Sequence, residues 1–297
     1  MSDRIATRAL VTGAGGQLGR ALLAGAPASL RVTGLQRPDC DICDAAAIGR
    51  VLDELQPQLL INAAAYTAVD RAEEEPEQAK AANAEAPRLL AAACAARNVR
   101  LLHVSTDFVF DGQRSSPYPA DAATAPLGVY GQSKLAGEQA VANSGASYLI
   151  MRTGWVYSHT GNNFMRTMLR LHRERDEIRV VADQVGTPTS AASLAAALWA
   201  AAGRAQFSGV YHWSDAGVCS WYDFAQAIGE EGEALGLLTA AARVTPIRSE
   251  EYPTPATRPA YSVLDKTRSW QDFGLEPRHW RLALRDELKA IEEIDDA

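Results

Sequence analysis

The sequence predicts an α/β protein, a doubly wound parallel sheet with a smaller C-terminal substrate-binding lobe. Three observations lead there. Near the N-terminus the short apolar strand Arg8–Thr12 runs into the glycine-rich turn Gly13-Ala14-Gly15-Gly16-Gln17-Leu18-Gly19, and Ala21-Leu22-Leu23 begins a helix. From there to about residue 213, short apolar strands alternate with helix-length, alanine-rich segments, a pattern that implies parallel pairing with helices on both faces. Beyond about residue 215 that alternation stops, and aromatic residues and prolines thicken.

In order along the chain, the first turn carries Gly13, Gly16 and Gly19 three apart. Glycines there permit a tight bend and close backbone approach, and the following helix offers free N–H groups to a pyrophosphate. Leu30–Leu35 reads as the second strand. It ends at Gln36-Arg37, where an acidic residue would mark NAD and an arginine suits a 2′-phosphate. NADPH is therefore the expected cofactor, with NADH left open. An acidic loop holding Asp39, Asp41 and Asp44 follows, close to where the adenine would lie.

Ala45–Leu55 carries a helical apolar stripe (Ile48, Val51, Leu52, Leu55). Leu59-Leu60-Ile61 is a buried strand, and the small residues after it, Asn62-Ala63-Ala64-Ala65-Tyr66-Thr67, leave room for a cofactor. A long helix is expected from Glu77 to Arg97, then a strand from Val99 to Val104 that ends in Ser105-Thr106-Asp107. Val129–Asn143 reads as a helix. Within it Tyr130 and Lys134, four apart, share one face. Gly131 and Gly137 each cost about 1 kcal/mol in a helix interior, which implies close approach by another backbone or a ligand.

Tyr148–Thr153 is a strand leading to Gly154-Trp155-Val156-Tyr157. Asn163–Arg173 and Ser190–Ala202 read as helices, and Arg179–Val181 and Gly209–Trp213 as strands. The expected division is a dinucleotide-binding domain over 1–153, to which 179–213 returns, and a substrate-binding lobe made of 154–178 and 214–297.

Composition narrows the function. The 297 residues are 47% hydrophobic and 22% charged, with a net charge of -7. That is ordinary for a globular protein and disfavours nucleic acid or an anionic membrane surface. No apolar run reaches the roughly 20 residues of a membrane span, and the N-terminus does not read as a signal peptide. A cytoplasmic location is expected. Cys40 and Cys43, among four cysteines, have no second pair and read as loop residues rather than a zinc or redox site.

Several of these segments carry a resemblance. Gly-Ala-Gly-Gly-Gln-Leu-Gly from Gly13, Asn-Ala-Ala-Ala-Tyr-Thr-Ala-Val-Asp from Asn62, Ser-Thr-Asp-Phe-Val-Phe-Asp-Gly from Ser105 and Val-Tyr-Gly-Gln-Ser-Lys-Leu-Ala-Gly-Glu from Val129 resemble the extended short-chain dehydrogenase/reductases. Within that Rossmann-fold group they are most similar to the family of dTDP-4-dehydrorhamnose reductases, as are Asp183–Pro188 and Arg258–Ser262. The resemblance implies a nicotinamide-dependent ketoreductase that converts the C4 ketone of dTDP-4-dehydro-L-rhamnose to dTDP-L-rhamnose. It implies catalytic places for Thr106, Tyr130 and Lys134, and sugar contacts for Asp107 and Trp155. Gln17, Leu18, Asp41, Ile42, Ala65, Tyr66 and Thr67 would lie along the cofactor. Arg258, before a proline, is a candidate partner for the diphosphate of the nucleotide sugar.

Two departures stand out. Ala21 occupies a position where some relatives carry an acidic residue that helps bind magnesium at a subunit contact. No metal is expected, and a homodimer is left open. Tyr66 stands where many relatives have histidine. Alternatives to this substrate are another dTDP-4-keto-6-deoxy sugar, or a non-catalytic NADP-binding subunit similar to the regulatory beta subunit of methionine adenosyltransferase. The expected chemistry has Tyr130 as proton donor and Lys134 lowering its pKa while holding the nicotinamide ribose. Thr106 would hydrogen-bond the carbonyl oxygen.

Overall fold

The computed structural model describes residues 7–295. The first half alternates strand and helix as the apolar pattern requires. β1 (Thr7–Thr12), α1 (Gln17–Ala24), β2 (Leu30–Leu35), α2 (Ala45–Leu55) and β3 (Leu59–Asn62) come first. Next come α3 (Val69–Glu74), α4 (Pro76–Lys80), a π-helical turn (Ala81–Glu85), α5 (Ala86–Ala96), β4 (Arg100–Thr106), α6 (Val129–Ala142) and β5 (Tyr148–Thr153). The second half holds β6 (Val156–Tyr157), α7 (Phe164–Glu174), β7 (Glu177–Val181), β8 (Val185–Gly186), β9 (Thr189–Ser190), α8 (Ala191–Ala202) and β10 (Gly209–His212). It ends with β11 (Cys219–Ser220), α9 (Trp221–Ala234), β12 (Arg243–Ile247), α10 (Thr267–Phe273) and α11 (Trp280–Asp295).

Six strands form one parallel sheet in the order β10-β5-β4-β3-β1-β2. The chain moves outward from β1 to β2, then returns to the other side of β1 with β3. That reversal opens a crevice at the carboxyl ends of β1 and β3, where ligands of such sheets bind. Alternate side chains leave the sheet on opposite faces. Val11, Ile61, Leu102 and Met151 pack with Leu22, Leu194 and Leu198 of α1 and α8. Leu10, Leu60, Leu101 and Ile150 pack with Ile48, Leu90 and Val141 of α2, α5 and α6. A separate core under α7, α9 and α11 is built from Met165, Phe224, Ile228, Leu284 and Leu288.

Two expectations need correction. The return of the chain to the main sheet begins at α8, not at 179: β7 pairs instead with β12, in the second lobe. The helix expected to start at Glu77 begins at Pro76 and is interrupted by the π turn. It is also preceded by α3, a stretch to which the sequence assigned no element; six residues are too few for a helical period to register.

Candidate active site

The catalytic candidates are placed by elements whose packing is visible. β4 carries Thr106 to the carboxyl edge of the sheet, and α6 lays Tyr130 and Lys134 beside it. The glycines of α6 permit this approach. A Cβ on Gly131 would sit 2.3 Å from the Phe108 carbonyl oxygen, and one on Gly137 2.1 Å from that of Asn83. The close partner is backbone in both cases, not a ligand.

The start of α6 has no side-chain cap of its own. The Glu73 carboxylate of α3 fills that role by accepting from the Val129 N–H at 2.8 Å. At the other end, Arg152 of β5 and Glu138 of α6 form a buried ion pair at 2.7 Å, with side chains 6% and 5% exposed. Arg152 also donates to the Ala120 carbonyl, so the charges are hydrogen-bonded on more than one side, as burial demands.

Within the site, burial pushes the Tyr130 phenol up to about 12, opposed by its hydrogen bond with Thr106. Burial also pulls Lys134 down to about 8, with Glu138 opposing. The lowering of Tyr130 expected from Lys134 is not among the causes acting on it: burial and the Asp107 charge raise the phenol, and the Thr106 hydrogen bond is what lowers it. Lys134 Nζ donates to the Val104 carbonyl at 2.7 Å. Thr106 Oγ1 donates to Asp107 Oδ1 at 3.1 Å and accepts from the Phe108 N–H. Asp107 is itself raised to about 6 by burial, with hydrogen bonds from Ser262 and Thr106 working against that rise.

One cleft, with a cavity volume of about 710 Å³, collects most of the residues singled out in the sequence. Gly13, Gly16, Gln17, Leu18, Ala65, Thr67, Thr106, Asp107, Tyr130, Lys134, Trp155 and Arg258 all line it. Gly19, Arg37, Asp41, Ile42 and Tyr66 do not. Gly19 instead packs against the turn, where a Cβ would lie 2.2 Å from the Gly13 carbonyl oxygen. Arg37 is 85% exposed past the end of β2 and pairs loosely with Asp41 at 3.7 Å. Ile42 packs against the α2 side of the core. The Tyr66 hydroxyl donates to Glu75 at 2.7 Å.

The structure also adds residues to the site. Asn83, in the π turn, holds Tyr66 from both sides: its Oδ1 accepts from the Tyr66 N–H and its Nδ2 donates to the Tyr66 carbonyl. The same Nδ2 reaches Ser133 on α6 at 3.1 Å. One buried side chain thus ties the Tyr66 loop to α6, and a π turn is a recurrent device at functional sites.

Trp155 has a left-handed φ of 51°. Its ring stacks on Trp221 at 3.4 Å with 5° between planes, so a pair of indoles forms the wall. Gln17 accepts from Ser158 Oγ and Asn163 Nδ2 and donates to the Asn162 carbonyl. That joins the glycine turn to the loop before α7. Asn83 and Asn163 are single polar residues with no local pattern; Trp221 stood out only as one aromatic among many.

His103 lies deep beneath the cleft. Thr12 donates to Asn62, whose Nδ2 contacts His103 Nδ1 at 3.1 Å, and burial holds the imidazole well below its ordinary pKa. Among the described residues, no group of three or more His, Cys, Asp or Glu side chains is placed to hold a metal ion. No helix of the described residues is long and apolar enough to cross a membrane.

A doubly wound parallel sheet, a glycine turn at its switch point and a Thr–Tyr–Lys cluster facing that turn define a nicotinamide-dependent oxidoreductase of the short-chain dehydrogenase/reductase class. Residues 7–293 match the family model described as RmlD substrate binding domain, and the chain belongs to that family. A dTDP-4-dehydrorhamnose reductase of Burkholderia thailandensis is 44% identical over 285 residues, covering 93% of this chain and 96% of the relative. One of Streptomyces griseus is 45% identical over 304 residues, covering 98% and 96%. The crystal structure of a dTDP-4-dehydrorhamnose reductase from Bacillus anthracis, in complex with NADP, has a TM-score of 0.91 at 35% identity, covering 96% of this chain and 100% of that one.

Proposed function

We propose that this chain transfers hydride from NADPH to the C4 ketone of dTDP-4-dehydro-L-rhamnose, giving dTDP-L-rhamnose. The observation that carries the reading is the meeting of Thr106, Tyr130 and Lys134 with the glycine turn in one cleft, in a family whose relatives include dTDP-4-dehydrorhamnose reductases. The turn fits a dinucleotide. Gly13 has a φ of 70°, and a Cβ there would lie 2.7 Å from Ala64 N. Gly16 caps α1 without any side chain, which leaves the helix N–H groups open to a pyrophosphate.

Bound there, the reduced nicotinamide supplies hydride to the carbonyl carbon. The protein's own groups handle the oxygen. With its pKa at about 12, Tyr130 stays protonated across the neutral range and gives its proton to the developing alkoxide. The phenolate left behind is reprotonated from solvent. Thr106 turns its hydroxyl from Asp107 to the same oxygen and stabilises the charge as it forms. Of the three Lys134 donors, one goes to Val104 and two remain for the ribose. The Trp155–Trp221 wall offers apolar surface to the sugar.

The test is loss of NADPH absorbance when purified protein meets dTDP-4-dehydro-L-rhamnose, with dTDP-L-rhamnose identified as product. Turnover only with a different dTDP-4-keto-6-deoxyhexose would move the substrate. NADPH binding with no turnover on any such sugar would favour the regulatory-subunit reading.

A further inference from the structure

Arg258 lines the cleft, and its setting is unusually constrained. Pro259 follows it, which keeps residue 258 out of the helical region. Pro259 also packs against Gly112, where a Cβ would lie 2.7 Å from the proline Cβ. The Val185 N–H donates to the Ala260 carbonyl at 2.8 Å, and Ser262 reaches the buried Asp107. The segment from 259 to 262 is thereby fixed to the mouth of the cleft.

Just before that segment the chain meets Asp70 of α3. Asp70 Oδ2 accepts from Arg258 Nη2 at 2.7 Å, and Oδ1 accepts from the Ala256 N–H at 3.3 Å. A single carboxylate thus grips both the backbone before Arg258 and the guanidinium itself. The pair is partly shielded, with side chains 26% and 38% exposed. Among the described residues, no other hydrogen bond to the Arg258 side chain occurs. A guanidinium has five donors in a rigid fork. With Nη2 committed to Asp70, Nε and Nη1 keep their donors for an anion in the cleft.

We propose that Asp70 is a positioning residue that aims the Arg258 guanidinium at the diphosphate of the bound nucleotide sugar. This rests on the substrate reading given above. An unpaired arginine on a loop sweeps many rotamers, and ordering it on binding would cost affinity. The Asp70 contact settles that orientation before the ligand arrives. Because α3 also caps α6 through Glu73, the same short helix sets both the proton-donating helix and the anion-binding side chain.

The test measures dTDP affinity by calorimetry, alongside kcat and KM for dTDP-4-dehydro-L-rhamnose and the Kd of NADPH. Asp70→Ala is expected to raise the dTDP Kd and the sugar-nucleotide KM about tenfold while kcat and NADPH Kd stay put. Asp70→Glu should recover most of the loss, and Arg258→Ala should reproduce it. Asp70→Ala added to Arg258→Ala should lose nothing further, because both remove one device. An unchanged dTDP Kd in Asp70→Ala, additive losses in the double variant, or an equal loss of NADPH affinity would each overturn the proposal. If Arg258→Ala keeps full dTDP affinity, the proposal falls and the substrate reading stands. If wild type does not reduce dTDP-4-dehydro-L-rhamnose yet the dTDP couplings hold, the substrate reading falls and the positioning role stands.

Discussion

Two helix glycines allow a comparison of opposite sign. Gly49 lies inside α2 with only the flexible Arg97 guanidinium near, 3.5 Å from where a Cβ would be. Gly131 lies inside α6 with the Phe108 carbonyl oxygen 2.3 Å from that point and Pro126 Cβ 2.9 Å from it. Alanine gains about 1 kcal/mol of helix propensity over glycine at either position. Gly49→Ala should keep most of that gain. In Gly131→Ala the backbone must yield about 1 Å to reach an ordinary carbon–oxygen contact of roughly 3.3 Å. Overpacking of this kind costs about 1–3 kcal/mol, so the net effect is destabilising. The displaced neighbour follows Thr106 and Asp107 directly, and Tyr130 is the residue before Gly131. A shift of about 1 Å between such groups can lower turnover by roughly 10²-fold. Denaturant midpoints and kcat for the two variants, measured side by side, give the answer. If Gly131→Ala is as stable as Gly49→Ala and turns over at the wild-type rate, the close approach plays no part in positioning Tyr130.

Other outcomes follow from the same geometry. Tyr130→Phe should lower kcat by about 10²-fold or more with NADPH affinity nearly intact, and wild-type turnover in a chemistry-limited assay would remove Tyr130 from the mechanism. Lys134, held down to about 8 by burial, carries its charge below that pH and loses it above. Then kcat/KM, which reports the free enzyme, should be highest below about 8 and fall on the alkaline side, whereas Tyr130 stays protonated there; a flat profile through that range would refute this. Glu138→Ala leaves Arg152 buried without its partner and should cost about 3–5 kcal/mol in denaturant unfolding; a loss below about 1 kcal/mol would show that the pair does not hold α6. Arg37→Ala should weaken NADPH and spare NADH, and an equal change in both cofactors would separate Arg37 from the 2′-phosphate.

The sequence by itself determined those features that local chemistry repeats. Apolar strands followed by amphipathic helices could satisfy their backbones only as a parallel sheet with covered faces, and the order of those elements was readable from period and breakers alone. The glycines of the first turn and the four-residue spacing of Tyr130 and Lys134 were legible for the same reason, since a turn and one helical face are short-range geometry. The glycines of α6 signalled close approach without saying by what.

The tertiary structure decided the rest. β7 paired with β12 rather than with the main sheet, because a short strand with only two adjacent valines carries no address for its partner strand. α3 escaped notice at six residues, below the length at which a helical period emerges, yet it supplies Glu73 to α6 and Asp70 to Arg258. Asn83 and Trp221 matter through partners 50 and 66 positions away, Ser133 and Trp155. Even the pKa of Tyr130 turned on burial: the four-residue spacing suggested that Lys134 would set it, but desolvation is the largest cause and Lys134 is not among the causes, and desolvation is a property of everything packed around a residue rather than of its neighbours in the chain.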